Sequence, residues 1–382
     1  QIKPGSDRED LGLIVSETPA AAAGVFTRNQ VKAASVLIDQ ERIQAGIGRA
    51  ILVNSGNANA CTGDRGLQDT RTLTRRVAAL LAVPEGQVFM ASTGVIGQPL
   101  PLRRMEQALP ALEAGLSPEG LPDVARAIMT TDTFPKIMAQ EVTLGKGTGH
   151  LVGLVKGAGM IRPDLATMLC FVLTDVAVTA EILNRLLAEA VDQSFNRITV
   201  DGDTSTNDLV LVLANGRAGN ATLRDTKSVE ARSFSRALNK VLLGLAKMIV
   251  RDGEGATKQV ELIIRGARTA AEARIMGFTV AESPLVKTAL FGEDANWGRI
   301  LAALGRSGIP FDPGRVEVFF DRVQMVGNGL GLGAEAESRA SQVLKKASFT
   351  ITVDLHQGKA RASVFTCDLS LDYVKINAHY RT

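Results

Sequence analysis

From Met168 to Val176 the chain is almost wholly apolar, and a strand built from that run leaves neither face for water. Alternating apolar and polar residues mark a strand with one wet face, whereas an unbroken run marks one covered on both sides. Ala50–Val53 and Leu209–Leu213 repeat the pattern. A chain with three such strands must stack layers on both faces of a sheet, and it carries the amphipathic segments to do so. Asp64–Leu81 places Leu67, Leu73, Val77, Leu80 and Leu81 at roughly helical spacing. Thr179 can cap a helix running to Phe195, and Ser228–Arg251 makes a long helix stopped by Asp252-Gly253.

Shorter elements fill the intervals. Strands are expected at Leu11–Ser16, Ala23–Thr27, Ser35–Ile38 and Val88–Ala91, and on both sides of the glycine turn Gly145–Gly149. Two helices are expected near Leu102–Leu112 and Leu121–Met129. The last third reads as strand Gln259–Arg265, helix Thr269–Val280, a helix near Asn296–Leu304, strand Val316–Phe320, helix Ala334–Lys346, and strands Phe349–Leu355 and Ala362–Thr366. Strands and helices mix without regular βαβ alternation, which favours an α+β layered sandwich over a doubly wound sheet. At 382 residues the chain exceeds one simple core, and a loose boundary at roughly 255–285 is expected ahead of a C-terminal α/β unit.

Composition removes several function classes. Aromatics are only 4% and the net charge of +3 is spread without a Lys/Arg block, so nucleic acid is not an expected partner. The basic pairs Arg75-Arg76, Arg103-Arg104 and Lys345-Lys346 fall in helix-like segments and are expected to face water. Cys61, Cys170 and Cys367 are odd in number and far apart, which excludes a disulfide framework and fits a reducing compartment. No apolar run approaches the ~20 residues that span a bilayer. No membrane association is expected, and with no signal peptide visible a cytoplasmic location is.

Tempting motifs fail on chemistry. Asp201–Asp208 begins like a calcium loop but offers Thr206 where a glycine is needed and Val212 where a bidentate glutamate is needed. Gly327–Gly333 has Leu332 at the last glycine of a dinucleotide fingerprint, and Gly253–Lys258 lacks the spacing of a phosphate loop. The three histidines, His150, His356 and His379, flank turns or the terminus and are expected at the surface. A histidine-based triad or zinc site is therefore hard to assemble, and no metal is expected.

The segment Lys156-Gly-Ala-Gly-Met-Ile-Arg-Pro-Asp-Leu-Ala-Thr167-Met-Leu169 places a permissive, bent backbone directly before a rigid strand. Thr167 stands at that junction after the small Ala166. A hydroxyl held against its own preceding carbonyl can attack it, shift the acyl group from nitrogen to oxygen and free a new N-terminus by hydrolysis. The freed α-amine, with a pKa of about 7.7–8.0, can then take the proton of the same residue's hydroxyl. On spacing alone, the same residues also read as a glycine turn before a strand.

Matches along the chain decide between them. The Lys156–Leu169 segment resembles the self-processing signature of the ornithine acetyltransferase (glutamate N-acetyltransferase, ArgJ) family of arginine biosynthesis. Asn54–Gly63, Ala91–Gly97, Met129–Thr133, Asp201–Asp208, Asp252–Lys258, Ser283–Ala289 and Tyr373–Thr382 resemble further stretches of that family, in its order and over nearly the whole chain. Ala158 is a departure, standing where the family often has serine.

The resemblance implies cleavage between Ala166 and Thr167, giving an α piece (1–166) and a β piece (167–382) that remain together, commonly as α2β2. It implies an αββα-like sandwich of the N-terminal-nucleophile type, with Thr167 as nucleophile and Thr93 and Gly94 stabilising the oxyanion. Substrate binding is implied at Thr133, Lys156, Thr167, Glu254, Asn377 and Thr382. The implied reaction moves acetyl from N2-acetylornithine to glutamate by a ping-pong acetyl-threonine mechanism. No cofactor is required, and acetyl-CoA is a substrate if the chain is bifunctional. The rival readings are an N-terminal-nucleophile amidase or aminopeptidase, in which water takes the acyl group, and a non-catalytic protein that keeps the fold.

Overall fold

The computed structural model describes residues 9–145, 147–162 and 168–379, and among them the chain forms two compact units. The first runs to Asn196 and resumes from Asp203 to Ile249. Its strands are β1 (Leu11–Phe26), β2 (Ile47–Asn54), β3 (Val88–Ser92), β4 (Lys136–Leu144), β5 (Gly147–Lys156), β6 (Leu169–Thr174) and β7 (Leu209–Ala214). Its helices are α1 (Ala34–Arg42), α2 (Gly63–Leu80), α3 (Leu102–Ala114), α4 (Leu121–Ala127), α5 (Ala180–Gln193) and most of α6 (Val229–Arg251). The strands form one sheet in the order β3-β2-β1-β7-β6-β5-β4.

That sheet cannot be flat. Leu11 of β1 lies opposite Asn54, whose other neighbour is Ser92 of β3, while Phe26 at the far end of β1 lies opposite Leu209. A straight strand of this length would hold those ends roughly 50 Å apart. Yet Asn207, two residues before Leu209, donates from Nδ2 to the Ser92 carbonyl over 2.7 Å. β1 therefore turns the sheet back on itself, and its pairing with β2 shifts register between Val15 and Ala20, beside Pro19.

The bend makes two layers with a shared interior. Ile14, Ile51, Phe89, Phe171, Leu211 and Leu154 meet in one buried core. Their neighbours in the strands point outward: Leu13, Leu52 and Met90 pack with Leu73 and Val77 of α2 and Met105 and Leu109 of α3. On the other half, Gly153 has no room for a side chain, because Val241 and Leu245 of α6 stand within 2.9 Å of where a Cβ would lie. The order is helix, sheet, sheet, helix, the α+β sandwich expected from the sequence.

The second unit takes residues 197–202 and continues from Val250. It contains β8 (Gln259–Ala267), β9 (Glu317–Phe320), β10 (Val323–Gly327), β11 (Leu330–Gly331), β12 (Ser348–Asp354) and β13 (Ala360–Cys367) in the order β11-β10-β9-β12-β8-β13. Helices α7 (Ala270–Ala281), α8 (Pro284–Phe291), α9 (Trp297–Gly305), α10 (Ala334–Leu344) and α11 (Leu371–His379) accompany it. Leu262, Ile264, Met276, Leu304, Phe320 and Leu344 lie at its core. Among the described residues no helix is long and apolar enough to cross a membrane.

One expected strand is a helix. Ser35–Ile38 belongs to α1, because a run of three apolar residues after a serine carries no periodicity that separates the two. Its Asp39 carboxyl, fully buried, receives the Met90 amide at 3.1 and 3.2 Å and so fixes α1 against the edge strand.

Candidate active site

Thr93 follows β3 directly, on a loop pressed against residues 54–58. The Thr93 amide donates to the Asn54 carbonyl at 3.0 Å, and the Ala58 amide to the Val95 carbonyl at 3.0 Å. Between them Gly94 adopts φ +132°, and a Cβ there would lie 2.2 Å from the Gly56 carbonyl carbon. Only glycine fits. Buried amides hold the turn from both sides: Asn54 Nδ2 donates to the Asn57 carbonyl (2.9 Å), and Asn207 Nδ2 donates to the carbonyls of Ala58 (2.6 Å) and Ser92 (2.7 Å). The loop is thus fixed before any ligand arrives.

Lys156, the last residue of β5, reaches this loop and donates from Nζ to Thr93 Oγ1 at 3.0 Å. An ammonium only donates, so the Thr93 oxygen is the acceptor and its own O–H keeps a proton to give elsewhere. Behind Lys156 lies a buried ion pair, Asp132 with Lys136, at 2.6 Å with both side chains fully enclosed. Asp132 Oδ1 also accepts the Gly157 amide (2.7 Å), and Oδ2 accepts the Thr130 amide (3.1 Å). Burial alone pushes the Asp132 carboxyl up, but the Lys156 and Lys136 ammoniums and the hydrogen bonds from Lys136 and Gly157 outweigh it and hold it below its ordinary value. Thr133, beside Asp132, is exposed.

Glu254 and Asn377 belong to the second unit. Glu254 sits on the turn between α6 and β8, and Asn377 on α11 donates from Nδ2 to Glu254 Oε2 at 2.8 Å. Residues 368–370 organise this pair. Asp368 accepts the Thr257 and Lys258 amides (2.8 and 2.9 Å) and the Thr257 hydroxyl (2.6 Å). Ser370 donates to the Gly255 carbonyl (2.6 Å) and accepts the Asp372 amide at the start of α11 (3.2 Å).

The structure therefore brings Thr93 to Lys156 and Glu254 to Asn377. Ala166, Thr167 and Thr382 lie outside the described residues. His150 and His356 are exposed and paired with carboxylates, His150 with Asp175 (3.0 Å) and His356 with Glu317 (2.9 Å). Among the described residues, Glu317, Asp354 and His356 could together hold a metal ion, although Arg265 already lies 2.6 Å from Asp354. Sequence reasoning assigned no role to Asp132, Lys136, Asn207 or Asp208. Asp132, Asn207 and Asp208 fall in segments it singled out, but Asp132 and Asn207 also take partners from distant parts of the chain, Gly157 and Ser92.

The ArgJ family matches residues 1–382, the whole chain. This chain belongs to the ArgJ family. The "Arginine biosynthesis bifunctional protein ArgJ" of Geobacter sulfurreducens is 56% identical over 381 residues, covering 100% of this chain and 96% of that protein. The protein of the same name from Syntrophotalea carbinolica is 52% identical over 378 residues, covering 99% and 95%. A crystal structure of the bifunctional protein ArgJ from Bacillus halodurans is 42% identical with a TM-score of 0.54, covering 56% of this chain and 100% of that one. ArgJ membership makes this chain an enzyme of arginine biosynthesis, an acyltransferase, as the motifs led one to expect.

Proposed function

We propose that this chain cuts itself between Ala166 and Thr167 and then uses Thr167 to carry acetyl from N2-acetylornithine to glutamate. The carrying observation is the Lys156–Thr93 contact beside a turn that admits only glycine. A hydroxyl with its proton unspent and a backbone N–H on a rigid loop are the donors an acetyl-transfer oxyanion needs.

In the first half reaction the Thr167 hydroxyl gives its proton to its own α-amine and attacks the acetyl carbonyl. The Thr93 O–H and Gly94 N–H bear the oxygen's charge as the tetrahedral centre forms, the α-ammonium hands its proton to the departing nitrogen, and ornithine leaves as the amine. Glutamate then takes the acetyl group through its amine in the reverse sense. Glu254, steadied by Asn377, suits the side-chain ammonium of acetylornithine, and Lys156 suits its carboxylate. Thr133 and Thr382 complete the binding set. The pieces 1–166 and 167–382 stay together, as α2β2. The Bacillus halodurans chain is matched end to end by 56% of this one, about the share that a piece starting at Thr167 would have. The word "bifunctional" in the relatives' names favours acetyl-CoA as a second donor. The working location is the cytoplasm.

The test is incubation with acetylornithine and glutamate, with products separated by mass. Acetylglutamate and ornithine in equal amounts are expected, with acetyl-CoA replacing the donor in a parallel reaction. Free acetate without acetylglutamate would turn the reading into a hydrolase.

A further inference from the structure

Ser283–Ala289 is a segment that the reaction so far leaves unused, and it opens α8. Its Lys287 is buried, 3% exposed. An ammonium taken out of water is costly unless its donors find acceptors. Lys287 directs its donors to one short stretch of chain at the end of β13. Nζ donates to the Cys367 carbonyl, to Thr366 Oγ1 at 3.3 Å and to Cys367 Sγ at 3.6 Å. The Lys287 carbonyl in turn accepts the Leu369 amide at 3.2 Å. Thr366 gives its own hydroxyl proton to the carbonyl of Ala281, the last residue of α7, at 3.2 Å. Lys287 thus grips residues 366–369 through its side chain and its main chain together. None of these acceptors is a carboxylate, so the buried charge fixes a backbone and is not half of an ion pair.

The same backbone seats Glu254. A glycine stands on each side of Glu254, and both are pressed against the chain that Lys287 holds or the residues that follow it. A Cβ on Gly253 would lie 3.1 Å from Cys367 Sγ. On Gly255, at φ +68°, it would lie 2.5 Å from the Tyr373 nitrogen and 2.7 Å from Ser370 Oγ. Between those contacts Asp368 accepts the Thr257 and Lys258 amides at 2.8 and 2.9 Å, just past Glu254. The turn that bears Glu254 therefore takes its place from residues 367–373, and their first members take theirs from Lys287.

We propose that Lys287 is a positioning residue for donor binding, acting through the end of β13 to place the Glu254 carboxylate. Lys287 touches no substrate in this scheme. Its removal lets residues 366–369 shift, the glycines on either side of Glu254 follow, and the carboxylate no longer meets the donor's ammonium. The inference rests on the reading of Glu254 as the group that receives that ammonium, and the experiment separates the two.

The test is a double-mutant cycle on the full chain, with acetylornithine varied, glutamate saturating and ornithine release as the readout. Wild type is compared with Lys287→Met, Glu254→Gln and the two combined. Lys287→Met keeps the apolar stem and removes the donors. It should raise KM for acetylornithine about 10-fold, the lower end of what losing the Glu254 contact costs, and leave kcat within about threefold of wild type. In the Glu254→Gln background the same change should cost less than about threefold more, because the group it positions is already gone. A wild-type KM overturns the proposal. So does a fall in kcat at unchanged KM, or a loss that multiplies in full with that of Glu254→Gln. Should Glu254→Gln alone leave kcat/KM at the wild-type value, the Glu254 reading is what fails. Thermal melting reports folding throughout. If Lys287→Met does not fold, Lys287→Gln, which retains N–H donors, carries the same cycle. If neither folds, Lys287 holds the second unit together and not the site, and the proposal is overturned.

Discussion

The Lys156 ammonium donates to the Thr93 hydroxyl oxygen across 3.0 Å, joining the end of β5 to the loop after β3. The contact orients a small side chain that has few other means of being held. It also puts a positive charge behind the hydroxyl, which makes its O–H a better donor to a developing negative oxygen.

Thr93→Val keeps the shape of the side chain and removes the hydroxyl. Turnover should fall by about 100- to 1,000-fold, the usual effect of deleting one oxyanion donor, with KM for acetylornithine within a few-fold of wild type. Steady-state kinetics at varied donor decide it. A rise in KM with kcat unchanged would mean that the hydroxyl binds the ground state.

Gly94→Ala forces a Cβ into the Gly56 backbone at a φ of +132°. Since neither partner is the tip of a flexible side chain, the loops must part. Stability should drop by at least about 1–3 kcal/mol, visible as a lower melting temperature, and acetyl transfer should be lost with it. Wild-type melting together with wild-type rate would show that the turn is not held as described.

Asp132→Asn leaves Lys136 buried without its counter-charge. Breaking such a pair typically costs about 3–5 kcal/mol. The folded carboxyl lies below its ordinary value, so its stabilising contribution is present above the unfolded pKa of about 3.9 and is lost as pH falls through the folded one. The melting-temperature gap between wild type and variant should be wide at pH 7 and narrow only below about pH 4. A gap that closes between pH 7 and pH 5 would contradict this.

Glu254→Gln keeps a partner for the Asn377 amide but removes the charge. A hydrogen bond to a charged group contributes about 1.5–3 kcal/mol, so kcat/KM for acetylornithine should fall roughly 10- to 100-fold. The loss should be much smaller for acetyl-CoA, which lacks the ornithine ammonium. Equal losses with both donors would remove Glu254 from ammonium recognition.

Much of the fold is legible in the residues. Apolar runs announce β6 and β7, and Thr179 caps α5 as read, its side chain accepting the Ile182 amide. Short apolar stretches misled at Ser35–Ile38. Leu11–Ser16 and Ala23–Thr27 read as two strands because Pro19 interrupts them, although they form the single bent β1. Helices α8 and α11 escaped notice: α8 opens on a proline and α11 is exposed along much of its length, so neither shows a clean apolar stripe. At the site, glycine at Gly94 and lysine at Lys156 were readable from matched motifs. The Asp132–Lys136 pair was not, since four-residue spacing suggests a helix face, whereas here a turn and the start of β4 bring the two together in the interior.

The bent first strand has one more bearing on the molecule. β1 pairs with β7 through residues 21–26 and 209–214, and β5 pairs with β6 through 151–156 and 169–174. A nick between residues 166 and 167 would divide the polypeptide while leaving its hydrogen-bonded ladders stitched across the gap in two places. The halves should co-elute in native buffer and come apart only in denaturant, each having been knitted into the other's sheet before the bond was lost.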